Sequence, residues 1–369
     1  MDQIDPITRI LLEGIQTQVF PGSVLFVRQQ GLIRFHRAVG LTSGLPDSHP
    51  VQPQTIYDLA SLTKPLATAS AILLLVQDGL LDLATPIDSV LKETEGFPLG
   101  QVVVKDVLCH QSGLPWWRPF YQSFPPSFPS DASSRQERVM AFLDLILKEP
   151  VETVSPLQSV YSDLGYMVLG FVVERITNQS LADFCQSRIF DPLQARPLGY
   201  GGQVSNKETG SHIGECAPTE QDPWRGRLLQ GEVHDENAFA LGGIAGHAGL
   251  FGTAEAVGRV TKAWLDGYHG KPGIFDSHLV KRFVTAQPGT SWALGWDTPS
   301  QPSSSGQWFS MESFGHLGFT GTSIWIDPIR EVEVIFLSNR VHPTRDNQAI
   351  KVFRPKLHDV IIQEISRSA

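Results

Sequence analysis

The 369-residue chain has only three cysteines, Cys109, Cys185 and Cys216, and no Cys-x-x-Cys pair. An odd, scattered set is not a disulfide framework and lacks zinc-site spacing. Sparse cysteine fits a reducing compartment. There is no surplus of positive charge: 29 Lys plus Arg face 38 Asp plus Glu, a formal net charge of −9. Without a basic stripe, nucleic-acid binding is disfavoured. The acidic balance also gives no attraction to anionic lipid. Long apolar runs are missing. The most apolar stretch, Leu66 to Val76, is too short to span a bilayer. The chain opens with acidic residues, and Arg9 and Glu13 interrupt its first apolar positions, unlike a secretory signal. The expectation is a cytoplasmic protein with no membrane or nucleic-acid partner. No His-Glu-x-x-His pair, Walker A loop, Gly-x-Ser-x-Gly elbow or strand-linked Gly-x-Gly-x-x-Gly occurs, so metalloprotease, NTPase, α/β-hydrolase and dinucleotide-binding readings lack support. Neither metal nor cofactor is expected.

What is present is ordinary globular material, 41 % hydrophobic and 18 % charged. At ~150 residues per domain the length suggests two domains. Ile7, Ile10, Leu11, Ile15 and Val19 fall at helical spacing and predict a first amphipathic helix, stopped by Pro21-Gly22. Ser23–Arg28 and Leu32–Val39 are β-rich and flank Gln29-Gln30-Gly31, which reads as a hairpin. A second helix is expected from Ser61 to Gln77, with Gly79 as its stop. Residues 113–135 carry Pro115, Pro119, Pro125, Pro126 and Pro129 with several aromatics, a long irregular segment. Helical patterns return at Gln136–Leu147 and Leu164–Ile176, and residues 195–250 read as Gly-rich loops. Thr322–Ile326 and Val332–Ser338 predict strands around Asp327-Pro328-Ile329-Arg330, before a last helix near Asp346–Ile365 limited by Pro355. The order predicts an α+β fold. An antiparallel sheet flanked by helices takes residues 1–90 and 240–369, and residues 91–239 form a mostly helical inserted domain.

Three short patterns could carry chemistry. In Ser61-Leu62-Thr63-Lys64 the serine and lysine share a helix face. A serine hydroxyl needs a base to become a nucleophile. Lowering a lysine pKa from about 10.4 to near 7 requires about 4–5 kcal/mol of differential interaction, within reach of burial and a nearby cation. The same pattern recurs as Ser89-Val90-Leu91-Lys92, so spacing alone is weak. Context favours Ser61, which opens an apolar helix, whereas Ser89 lies in a charged stretch. The second pattern is Tyr161-Ser162-Asp163 at a loop-to-helix junction, where a simple helix cap is the bland alternative. The third is Gly315-His316-Leu317-Gly318-Phe319-Thr320-Gly321-Thr322, whose glycines allow close backbone approach or mark a turn.

Taken in order, these three patterns resemble the serine β-lactamase and penicillin-binding-protein superfamily, in particular its class C β-lactamase-like and esterase (family VIII-like) branch. Phe20-Pro21-Gly22-Ser23, Tyr57 to Lys64, Val107 to Pro115 and Tyr161 to Glu174 also look like that family's segments. The resemblance spans about residues 15 to 340. It implies a β-lactamase/transpeptidase-like fold and acyl transfer to water through an acyl-enzyme. Ser61 would be the nucleophile, with Lys64 and Tyr161 sharing the proton work. Which of those two is the kinetic base stays open. Backbone N–H groups of Ser61 and Phe319 would form the oxyanion hole, where losing one donor typically costs about 2.7–4 kcal/mol. Asp163, His316, Gly318 and Thr320 would bind substrate.

Two departures bear on the substrate. Leu317 offers no hydroxyl where many β-lactamases have the threonine of Lys-Thr-Gly, and His316 replaces the lysine. Asp163 replaces the usual asparagine of Tyr-x-Asn; if ionised it is acceptor-only. It could instead pair Lys64 and favour Tyr161 as base. Both changes weaken recognition of an anionic acylamido substrate. The expected function is hydrolysis of small esters or amides with weak or no β-lactam turnover. A class C-type β-lactamase, a D-amino-acid peptidase or carboxypeptidase, and a catalytically idle ligand-binding member are the alternatives. The aromatic cluster Trp116, Trp117, Phe120, Tyr121 and Phe124 reads first as a packed loop and second as an acyl-pocket wall. His110 is expected to support its turn. His234, Asp235, Glu236 and His247 are candidate site lining.

Overall fold

The computed structural model of the protein describes residues 4–46, 48–125, 134–152, 158–201 and 216–367. Ten strands are named in chain order: β1 (Gly22–Gln29), β2 (Leu32–Gly40), β3 (Tyr57–Asp58), β4 (Leu198–Tyr200), β5 (Gln221–Asp222), β6 (Arg227–Leu228), β7 (Leu250–Gly252), β8 (Phe314–Leu317), β9 (Ser323–Asp327) and β10 (Val332–Ser338). The main sheet has the order β2-β1-β10-β9-β8, all pairs antiparallel. Both chain ends therefore build one sheet. Val24 to Val27 form an unbroken apolar run because β1 sits inside the sheet and is covered on both faces. β2 is an edge strand whose residues are exposed or half-buried.

The sheet divides two apolar layers. Alternate side chains Leu25, Val27, Trp325, Val334 and Phe336 pack against Ile7 and Leu11 of the Pro6–Gln16 helix and Phe353, Leu357 and Ile361 of the Ile350–Arg367 helix. Val24, Phe26, Ile324, Ile335 and Leu337 face the larger core, with Leu62, Leu66, Ile72, Val257 and Trp264. This is the period-2 alternation of a sheet with both faces covered. Helices packed on both faces of an antiparallel sheet make this the expected α+β class.

The hairpin and both C-terminal strands lie where expected within a residue or two. The Ser61–Gln77 helix is not uniform: a 3-10 turn over Ala60–Leu62 leads into a π-helical stretch Lys64–Ala69 and then an α-helix Ser70–Gln77. Residues 60–77 are long and apolar enough to cross a membrane by composition, but most of the segment is buried inside the protein. Residues 195–250 are less loop-like than expected. They hold β4, β5, β6, the Glu236–Ala240 helix and the first residue of β7, while part of the span, including Gly202, lies outside the described residues. The Ala254–Tyr268 helix, capped by Thr253 and buried through Val257, Val260 and Trp264, adds to the expected elements. In the proline-rich segment Phe120 and Phe124 pack on Phe142, as the packed-loop reading requires. Pro126 and Pro129 lie outside the described residues.

Candidate active site

The Ser61 segment begins with a strained residue. Ala60 has φ +47, a left-handed conformation that alanine rarely adopts. The buried Asp58 carboxylate holds it, accepting the Ala60 N–H at 2.8 Å and the His234 N–H at 2.7 Å. Burial is the largest influence on Asp58 and raises its pKa, against the two N–H donors that favour the charged form. Thr63 donates to Ala60 O at 2.6 Å and accepts Leu250 N–H at 3.2 Å, tying the turn to β7. Ser61 is thereby presented part-exposed while the residues after it are buried. The π-helical stretch that follows is a geometry found at functional sites.

Lys64 is fully buried, and its three donors find three acceptors: Ser61 Oγ at 2.9 Å, Asp163 Oδ1 at 2.6 Å and His247 O at 3.3 Å. Its ammonium also lies 4.6 Å from the Tyr161 ring centroid and 5.6 Å from that of Tyr166. Burial alone would push the Lys64 pKa down, but Asp163 and Tyr161 beside it outweigh burial and raise it. Lys64 is therefore an ammonium at neutral pH. Burial raises the Tyr161 phenol, opposed by the Lys64 charge and by hydrogen bonding from Lys64 and Ser61. The resting quartet is then a serine hydroxyl, a phenol and an ammonium–carboxylate pair.

Tyr161 is held among tilted rings: His110 at 4.6 Å, Trp292 at 5.3 Å and His316 at 6.0 Å between centroids. Ser162 is the helix cap, its Oγ accepting Gly165 N–H at 3.1 Å and donating to Pro115 O at 2.7 Å. Asp163 N–H donates to Trp116 O at 2.9 Å. The second motif is thus fastened to the loop that follows Gly113. His110 does more than support its turn, since its Nδ1 accepts the Ser162 N–H at 3.0 Å. Burial, then Lys64 and His316, push the His110 pKa well below the usual range, so it is neutral.

The third motif meets the first through two hydroxyls. Thr320 Oγ1 donates to Asp58 O at 2.7 Å and Thr322 Oγ1 to Leu59 O at 3.1 Å. This seats the turn after β8 against the chain just before Ser61. A Cβ on Gly318 would lie 2.0 Å from Thr322 Oγ1 and 2.6 Å from Leu59 O, so the close approach requires glycine there. Thr320 is buried, and its hydroxyl is spent on this contact rather than turned toward a substrate. His316 is also buried. Burial first, then Lys64, lower its pKa to about 3, so it carries no charge at neutral pH. Its Nδ1 donates to Leu317 O at 2.9 Å. Phe319 is half exposed, its ring tilted against His234 at 5.6 Å and under the Arg340 guanidinium at 4.4 Å.

Of the remaining candidates, His247 lines the site through its carbonyl, and its Nε2 contacts Asp235 at 2.9 Å. His234 Nε2 contacts Glu220 at 2.8 Å, and Glu236 accepts from Arg345 at 2.7 Å. Ser89 and Lys92 are both exposed, away from this cluster. No group of His, Cys, Asp and Glu suited to a metal occurs among the described residues. Asp58, Trp292, Arg340 and Arg354 also belong to the site and its supports. Asp58 lies within the Tyr57 to Lys64 segment, whereas only tertiary contacts bring Trp292, Arg340 and Arg354 here, and no sequence pattern singles those three out.

The Beta-lactamase family model matches residues 7–355. The chain is 32 % identical over 351 residues to an N-acetylmuramyl-L-alanine amidase of Bacillus subtilis (strain 168), covering 88 % of this chain and 78 % of the relative. It is 29 % identical over 364 residues to a putative D-alanyl-D-alanine carboxypeptidase of Salmonella agona (strain SL483), covering 90 % and 82 %. Among solved structures, EstCE1, a hydrolase with promiscuous acyltransferase activity, superposes with a TM-score of 0.74 at 17 % identity, covering 96 % of this chain and 97 % of that one. A match that runs from the first helix, through all three motifs, into the last helix has one meaning: the chain belongs to the Beta-lactamase family.

Proposed function

We propose that the protein is a serine hydrolase that forms an acyl-enzyme on Ser61 and acts on small amides or esters, with weak or no β-lactam turnover. The observation that carries this reading is Lys64 Nζ placed 2.9 Å from Ser61 Oγ and 2.6 Å from Asp163 Oδ1. An ammonium so held does not take the serine proton. Tyr161 then acts as the shuttle: as Ser61 Oγ bonds to the carbonyl carbon, its proton passes to the Tyr161 oxygen, and the phenol proton passes to the departing nitrogen or oxygen. The Lys64 charge stabilises the negative character that develops on the phenol and serine oxygens. Water attacks the acyl-enzyme by the reverse route, releasing the acid and restoring Ser61.

An amide joining an acyl group to an amino acid is the first substrate class to try, because the Bacillus subtilis relative is named for such a bond. The carboxypeptidase relative favours a second reading. Such a substrate carries a carboxylate on its leaving amino acid, as free N-acetylmuramyl-L-alanine also does, and the third motif offers that carboxylate a neutral His316, an apolar Leu317 and a Thr320 hydroxyl already donating to Asp58 O, which favours esters and amides whose leaving group is uncharged. The amide or ester reading is therefore preferred, and a cytoplasmic location goes with it.

The test is turnover of p-nitrophenyl butyrate and N-acetylmuramyl-L-alanine by wild type and Ser61→Ala, with a D-Ala-D-Ala peptide and nitrocefin in parallel. Ester or amide turnover lost by at least about 10³-fold in Ser61→Ala is expected. Equal rates in both proteins would overturn Ser61 as nucleophile. Fast D-Ala-D-Ala cleavage would install the second reading.

A further inference from the structure

The turn after β8 is gripped from behind. Gly321 N–H closes it onto Gly318 O at 3.2 Å, and Gly318 N–H bonds Thr322 O at 2.8 Å. Arg354 comes from the Ile350–Arg367 helix, whose apolar side chains pack on the sheet face opposite Leu62 and Leu66. Its Nη2 bridges Gly318 O at 2.7 Å and Thr322 O at 2.8 Å. Arg340 Nε donates to Phe319 O at 2.8 Å, and its Nη1 is taken by Arg345 O and Asn347 O.

We infer that Arg354 is a positioning residue for the oxyanion hole: by holding the Gly318 carbonyl on its own side, it turns the N–H of the same peptide, that of Phe319, toward Ser61. The inference rests on the acyl-enzyme reading above.

Three observations carry it. A trans peptide is planar, with its C=O and N–H pointing in opposite directions, so fixing one fixes the other. The Gly318 carbonyl is held by a cation, and a charge-assisted bond to a peptide oxygen polarises the whole unit, which makes the Phe319 N–H a stronger donor. The neighbouring attachments, Arg340 on Phe319 O and Thr320 on Asp58 O, restrain the peptide from turning over.

The arrangement is costly for a mere turn. Arg354 is buried, and among the described residues its Nε has no hydrogen-bond partner and its side-chain bonds go to backbone carbonyls rather than to a carboxylate. Burying a guanidinium without a counter-charge is unfavourable, and a neutral donor would close a turn as well. Burial, then the nearby Arg340, lower its pKa to about 9, which leaves it cationic at neutral pH.

The experiment compares wild type with Arg354→Met and Arg354→Gln, each checked for folding by thermal melting. The readouts are kcat and KM for p-nitrophenyl butyrate and the affinity of a boronic acid that forms a tetrahedral adduct on Ser61. In Arg354→Met kcat should fall about 10²-fold with KM within about twofold, and boronate affinity should fall in parallel. Arg354→Gln keeps an uncharged NH2 donor group and should lie between. A purely structural role would lower Tm and the fraction of active enzyme but leave the boronate affinity of the folded fraction unchanged. Wild-type kcat and boronate affinity in either folded variant would overturn the inference, and Arg354→Gln decides if Arg354→Met does not fold. Wild-type turnover in Ser61→Ala would instead bring down the underlying reading, and this inference with it.

Discussion

Lys64 Nζ and Asp163 Oδ1 lie 2.6 Å apart, and the lysine in that pair is completely buried. The contact joins the first and second motifs across the fold and sets the protonation state of the site. Burial opposes a charged lysine; the carboxylate restores it.

Asp163→Asn removes that restoring charge, so burial wins and the Lys64 pKa falls. If the ammonium is the working form, kcat at neutral pH should fall by about tenfold or more. The alkaline limb of the pH–rate profile should also move to lower pH. A rise in kcat at neutral pH would instead make neutral Lys64 the base, with Tyr161 secondary.

Asp58→Ala should act on both stability and rate. It leaves the buried Ala60 and His234 N–H groups without their acceptor, at about 1–3 kcal/mol each when unsatisfied. It also releases the strained backbone that presents Ser61. Thermal melting should show a loss of about 2–6 kcal/mol. Labelling of Ser61 by a fluorophosphonate should slow. A variant that melts early but labels at the wild-type rate would limit Asp58 to a structural role.

Glu220 gives a stability prediction with a defined sign. Burial would raise its pKa, but His234 and Arg345 outweigh burial and bring it down from 4.5 to about 2. A depressed carboxylate stabilises the folded state above its unfolded pKa, and that contribution is lost as pH falls from about 4.5 to about 2. Glu220→Gln should cost on the order of 2 kcal/mol at pH 7. The difference in Tm from wild type should shrink steadily as the pH is lowered below 4.5. A gap independent of pH would show that the loss comes from packing instead of charge.

Much of this architecture is legible in the sequence. The hairpin of β1 and β2 follows from two β-rich runs around Gln30-Gly31, and β10 from Val332 to Ser338, because strand signals are local. The three motifs identify Ser61, Lys64, Tyr161 and Asp163, and the structure brings these four together. The π-helical stretch Lys64–Ala69 that follows Ser61 is not legible. Propensity distinguishes helix from strand but carries no signal for which carbonyl each N–H will meet.

Residue identity by itself determined which groups could react: a serine one turn from a lysine, an acid where an amide is usual, and a leucine where a hydroxyl is usual. Tertiary structure alone decided their states. Burial neutralises His316, the Asp163 contact keeps Lys64 charged, and the Asp58 carbonyl takes the Thr320 hydroxyl. It also placed Arg354, far along the chain, behind the Gly318 peptide. The physical reason is that a side chain's type is written at one position, whereas its charge and hydrogen-bond partners depend on desolvation and on neighbours distant in sequence.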